Sequence, residues 1–108
     1  MAEIELIYVT VSNIEEAEKI AMTVVSERLA ACANILGPIQ SVYHWQGKLE
    51  QATEVALLLK TQQSVLDALV ARIRELHSYE CPAIVAIPVL GGNPEFLAWV
   101  ASETSAPD

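Results

Sequence analysis

Between Glu3 and Val11 the chain reads E-I-E-L-I-Y-V-T-V, alternating at first and then almost wholly apolar, a pattern that predicts a central strand. The period then lengthens. Ile14, Ala17, Ile20, Ala21, Val24, Val25 and Leu29 recur at helical spacing, and Asn13 with Glu16 three residues later supplies an N-terminal cap, so a helix to about Ala31 is expected. Cys32 to Trp45 returns to extended character across Gly37-Pro38, which predicts one bent or bulged strand. Gln46-Gly47-Lys48 is a short glycine-containing loop, and Glu50 to Thr61 around V-A-L-L-L reads as the return strand of a hairpin. Val65, Leu66, Leu69, Val70, Ile73 and Leu76 mark a second amphipathic helix ending near His77-Ser78. Pro82 opens a short strand that Pro88 confines to an edge or end. Gly91-Gly92 then precedes a last helix starting at Asn93-Pro94-Glu95, and the tail from Ser102 to Asp108 is expected to fray.

The order β-α-β followed by β-α-β predicts an α+β, ferredoxin-like split βαβ sandwich with an extra C-terminal helix, in one domain over residues 1–108. Such a sheet has helices on one face only, so the other face needs a cover. The two middle strands exceed the usual five or six residues, and their overhang, ending in Tyr43, His44 and Trp45, is a long edge that a neighbouring subunit would protect. Composition agrees: 53% of residues are hydrophobic, yet no apolar run approaches a membrane span. The surplus points to subunit contacts and away from a membrane.

Charge narrows the partners. Six Lys and Arg against fourteen Asp and Glu give a formal charge of −8, the reverse of the basic footprint that nucleic acid needs. The same field gathers cations without a dedicated site, about seven-fold for a divalent ion at a surface potential of about −1 kT/e. Cys32 and Cys81 form no C-x-x-C pair and sit in apolar segments, so buried thiols in a reducing cytoplasm are expected. The start Met-Ala-Glu-Ile-Glu has none of the features of an export signal.

The most chemically loaded stretch is His77-Ser78-Tyr79-Glu80-Cys81-Pro82, which sets an imidazole, a phenol, a carboxylate and a thiol between a helix end and a strand. A helix dipole favours a C-terminal His with no further role, and His44 is the sole other histidine, so a preformed zinc or copper cage is not expected. Lys60 and Glu54 stand at the two ends of the return strand, placed either to reach solvent or to pair in a subunit cleft with Trp45, Tyr79 and Glu80. No G-x-S-x-G, P-loop, G-x-G-x-x-G or H-E-x-x-H is present, and a Cys81, His77, Glu80 triad would need near-adjacent residues to converge, so no catalysis is expected.

The phrases E-R-L-A-A-C-A-N-I, S-V-Y-H-W-Q-G-K-L-E, L-L-L-K-T, L-H-S-Y-E-C-P and G-N-P-E-F-L-A-W, in that order, resemble the CutA family over essentially the whole chain. The resemblance implies a ferredoxin-like fold, a homotrimer with interlocked hairpins, an architecture similar to PII signalling proteins, and a part in copper and divalent-cation tolerance with no established reaction. It implies no required cofactor, and Cu²⁺ or another divalent cation held weakly by His77, Glu80 and Cys32. Some members carry a Cys on the first strand and adjacent histidines ending the second helix; this chain has Val9 and Leu76-His77. The PII likeness implies a second reading, a small-ligand sensor with an intersubunit cleft lined by Trp45, Lys60, Glu54, His77, Tyr79 and Glu80 and suited to a small anion. A third is a trimeric scaffold whose hairpin tips contact a protein partner.

Overall fold

The computed structural model describes residues 2–107. Its elements run β1 (Ile4–Val11), α1 (Ile14–Ser26), β2 (Cys32–Trp45), β3 (Lys48–Gln62), α2 (Leu66–Leu76), β4 (Ile84–Pro88) and α3 (Pro94–Ser102), with one 3-10 turn, Gln63–Val65, leading into α2. The four strands form an antiparallel sheet in the order β2-β3-β1-β4, the split βαβ plan.

Alternation decides which side of the sheet the helices cover. Ile7, Val9 and Val11 of β1 and Val55, Leu57 and Leu59 of β3 point to one face, where Ala17, Ile20 and Val24 of α1 and Leu69 and Ile73 of α2 close over them. Val100 of α3 packs separately on Ile4 and Ala31 at one end of the sheet. On the opposite face, Val85 and Ile87 of β4, which pair with Tyr8 and Leu6, stay 51% and 46% exposed. Val42, Trp45 and Leu49 on the β2–β3 hairpin are likewise open. The hairpin stretches the molecule to 45 × 28 × 22 Å.

The expected bend in β2 is a bulge. The register against β3 shifts between Ile35 and Gly37, leaving Leu36 without an opposite residue, and Gly37 takes φ +90°, a conformation that favours glycine.

Three expectations need correction. The first helix stops at Ser26, five residues before Ala31. Arg28 turns left-handed at φ +66°, the Arg28 N–H donates to the Val25 carbonyl and the Leu29 N–H to the Val24 carbonyl, a Schellman termination. Leu29 keeps the apolar period because the turn folds it back into the core, 4% exposed. The tail does not fray after Ser102. Thr104 is buried, the Gln62 amide donates to the carbonyls of Ala101 and Thr104 at 2.9 and 3.0 Å, and the Ser105 N–H donates to the Arg28 carbonyl. The part of that expectation falling on Asp108 lies outside the described residues, as does Met1 of the chain start. Nor are the thiols buried: Cys32 is half-buried and Cys81 exposed, because the turn before β4 faces outward.

Candidate functional site

A cleft of about 610 Å³ opens where the base of the hairpin meets the α2–β4 loop, lined by Tyr43, Trp45, Glu54, Tyr79, Glu80 and Cys81 among others. The bulge at Leu36 makes it possible. Downstream of it, Ile39 pairs with Glu54, Tyr43 with Glu50 and Trp45 with Lys48, so the odd-numbered residues of β2 share a face with the even-numbered residues of β3.

Within the cleft, the Tyr79 hydroxyl donates to Glu54 Oε1 at 2.8 Å. Glu54 is 7% exposed, and this bond provides the donor that a buried carboxylate needs. Burial pushes the Tyr79 phenol well above its usual range, and the bond to Glu54 pushes it further the same way. The Tyr79 phenol therefore keeps its proton, and with it the bond to Glu54, at ordinary pH.

The loop bearing Tyr79 is held from α1. Partial burial pushes the Glu16 carboxyl up, but bonds from the N–H and hydroxyl of both Ser12 and Ser78 outweigh it and lower the group to about 2. His77 is fixed on both sides. Its Nε2 lies 2.8 Å from the Thr10 carbonyl oxygen, and its Nδ1 accepts the Tyr79 N–H at 3.0 Å. That pattern assigns the hydrogen to Nε2 and leaves no lone pair free for a metal.

The sequence candidates thus separate. Trp45, Glu54, Tyr79 and Glu80 come together. His77 lies behind them with its ring nitrogens occupied. Lys60 is elsewhere: its Nζ donates to Asn34 Oδ1 at 2.6 Å and sits 5.7 Å from the Phe96 ring centre. Cys32 pairs with Lys60, six residues along β3 from Glu54, or about 20 Å at the rise of a strand. His77, Glu80 and Cys32 therefore do not fit a metal site within one chain, and among the described residues no three His, Cys, Asp or Glu side chains are grouped to hold one. Sequence reasoning missed Tyr43, Ser41 and Thr10 as cleft walls and Glu16 as the anchor of the loop. The strand alternation would have found Tyr43 once the bulge was counted; nothing in the local sequence joins Glu16 to Ser78.

Among the described residues no helix is long and apolar enough to cross a membrane. A rice protein named "Protein CutA 1, chloroplastic" is 42% identical over 99 residues, which cover 92% of this chain and 56% of the rice protein, so the chain spans a little over half that relative's length. The divalent-cation tolerance protein CutA of Thermus thermophilus is 42% identical over 100 residues, covering 93% of this chain and 97% of that protein. A solved Thermus thermophilus structure, described as a divalent cation tolerance protein, superposes with a TM-score of 0.92 at 41% identity, covering 94% and 99% of the two chains. An Archaeoglobus fulgidus structure, described as a periplasmic divalent cation tolerance protein CutA, gives 0.89 at 41% identity over 93% and 97%. Residues 5–103 match the family described as CutA1 divalent ion tolerance protein, and with that match, these identities and the shared fold, the chain belongs to the CutA1 family.

Proposed function

We propose that this chain works in the cytoplasm as a homotrimer with a part in divalent-cation tolerance, catalysing no reaction and holding Cu²⁺ or other divalent ions weakly. The observation that carries the reading is the uncovered sheet face of Val85 and Ile87 together with the open apolar flank of the hairpin. Patches of this kind on a soluble chain mark contact surfaces, and symmetric closure around a three-fold axis would cover them and the hairpin edge at once. The names of the relatives support the tolerance role. The acidic surface, −8 per chain, supports loose attraction of cations by the overall field, since His77 has no free nitrogen. Calorimetry with Cu²⁺ and Zn²⁺ on wild type and His77→Ala tests this. Weak heats that are equal in both and fade with added salt are expected; tight, stoichiometric Cu²⁺ binding lost in the variant would replace the diffuse reading with a His77 site.

The cleft favours a second reading, that of a small-ligand sensor similar in plan to PII proteins. Within one chain its walls combine three aromatic rings, Tyr43, Trp45 and Tyr79, with two carboxylates, Glu54 and Glu80. That set suits an organic cation better than the small anion first expected. A thermal-shift screen of metabolites tests it, because a ligand at a hundred times its Kd adds about 2.7 kcal/mol of stability. Stabilisation by anionic and not cationic metabolites would argue against the assigned ligand class.

A further inference from the structure

The cleft at the base of the hairpin holds two carboxylates that no cation of the chain meets. Glu54 is 7% exposed, and its one bonded oxygen accepts the Tyr79 hydroxyl at 2.8 Å. No Lys, Arg or His lines the cleft. Among the described residues, basic and acidic side chains come together as Arg28 with Glu103, Arg72 with Glu27 and Glu75, and His77 with Glu16, so neither Glu54 nor Glu80 has a cationic partner. A buried carboxylate is ordinarily paired; this one has a single phenol.

Aromatic faces make up much of the remaining wall. Tyr43 and Trp45 stand on one face of β2, two residues or about 7 Å apart along the strand, and both rings are close to half exposed. Tyr79 reaches the same cleft from the α2–β4 loop. Its hydroxyl donates to a carboxylate, which enriches the ring in electrons and strengthens the face that a cation would meet.

We propose that this cleft binds a small, free quaternary ammonium compound, its methylated nitrogen among Tyr43, Trp45 and Tyr79 and its charge beside Glu54 and Glu80. The inference rests on the sensor reading of this cleft and narrows the ligand class. A quaternary nitrogen has no N–H and spreads its charge over methyl groups, so ring faces are sufficient partners. A primary ammonium has three donors to place, and Glu54 Oε1 is already engaged by Tyr79. A bare Ca²⁺ or Mg²⁺ ion wants about six oxygen ligands, and aromatic rings supply none. The volume of about 610 Å³ lies within the range of small-molecule sites and leaves room for a short substituent beyond the methyl groups. The field of a chain with charge −8 gathers all monovalent cations alike. Discrimination between cations of equal charge is therefore the mark of the cleft itself.

The test is titration at pH 7 and constant ionic strength with three probes: choline, its neutral isostere 3,3-dimethylbutan-1-ol, and ethanolamine as the primary ammonium. Calorimetry gives the affinities, and the two indole N–H signals give the place, since Trp45 lines the cleft and Trp99 lies on α3 outside it. Choline is expected to saturate and to move the Trp45 signal while Trp99 stays. The other two probes should bind at least about ten-fold more weakly, the scale of a desolvated contact between cation and ring. Trp45→Phe keeps a ring and should stay within about three-fold of wild type, whereas Trp45→Leu keeps only apolar bulk and should lose about ten-fold. If Trp45→Leu alters folding or assembly, the probe comparison and the indole signals decide on the unaltered protein. Phosphatidylcholine vesicles present the same headgroup, and the protein should stay in solution with them; co-sedimentation would overturn the assignment to a free small molecule. Choline that does not saturate, movement of Trp99 in place of Trp45, equal affinity for the isostere, or unchanged affinity in a folded Trp45→Leu protein would each overturn the proposal. Ethanolamine binding as tightly as choline would remove the quaternary assignment and leave a sensor of organic cations, whereas the sensor reading itself falls if no metabolite stabilises the protein in the thermal-shift screen.

Discussion

Glu16, on the first turn of α1, holds Ser78 by both its main-chain N–H and its hydroxyl, at 2.7 and 3.1 Å, across 62 residues of chain. The loop that presents Tyr79 and Glu80 to the cleft is therefore fastened to a helix, and the fastening is charged. The folded-state value of about 2 for Glu16 lies below the ordinary 4.5, so its contribution is complete above pH 4.5 and fades as the pH falls from there toward 2. Glu16→Gln is expected to cost about 1–2 kcal/mol at neutral pH, with allowance for solvent at the loop. Denaturant titrations across the acid range check this: the gap to wild type should narrow on acidification, and a constant gap would contradict the linkage.

The Tyr79–Glu54 bond can be read optically. In an absorbance titration of the three tyrosines, Tyr79 should ionise at higher pH than an ordinary phenol, because burial and the Glu54 carboxylate both disfavour the phenolate. Glu54→Gln should bring that transition down. Tyr79→Phe should remove it and cost about 1–3 kcal/mol, since Glu54 is then left buried without its donor.

Gln62 ties the end of the chain to the sheet. Gln62→Ala removes the donor to the carbonyls of Ala101 and Thr104 and should cost about 1 kcal/mol. Hydrogen exchange gives the sharper check: the Ser105 amide should exchange faster while the amides of β1 keep their protection. Uniform loss of protection would mean that Gln62 supports the whole fold.

Subunit assembly is tested on the open face of the sheet. Sedimentation equilibrium of the wild type should give the mass of three chains at micromolar concentration. Val85→Glu with Ile87→Glu places two charges on that face, away from the helix-covered core, and should give a lighter species with its helices and sheet intact. A double variant that sediments as wild type would move the interface elsewhere.

The sequence made some features legible and hid others for identifiable reasons. Asn13 was readable as a cap because its side chain acts within one turn: it accepts the Glu16 N–H at 2.8 Å. The split βαβ plan followed from the apolar periods and the order of the elements. The end of α1 was not readable, because Arg28 adopts a left-handed turn with no glycine to signal it. Within one chain Trp45, Glu54, Tyr79 and Glu80 lie along one cleft, whereas Lys60 bonds Asn34 on another strand, a pairing between strands that no local pattern signals. His77 was chemically conspicuous, but the contacts that occupy its nitrogens come from β1 and from two residues onward. Only folded geometry reveals them.

The unpaired Leu36 has a consequence for how this strand can change by insertion or deletion. Removing that one residue would restore simple alternation and turn Tyr43 and Trp45 to the side opposite Glu54. The aromatic wall would be lost with every one of its residues still in the chain. A three-nucleotide deletion distant from the cleft could thus erase it more completely than a substitution within it, while a compensating insertion anywhere between Gly37 and Tyr43 could restore it. The cleft is a matter of phase as much as of composition.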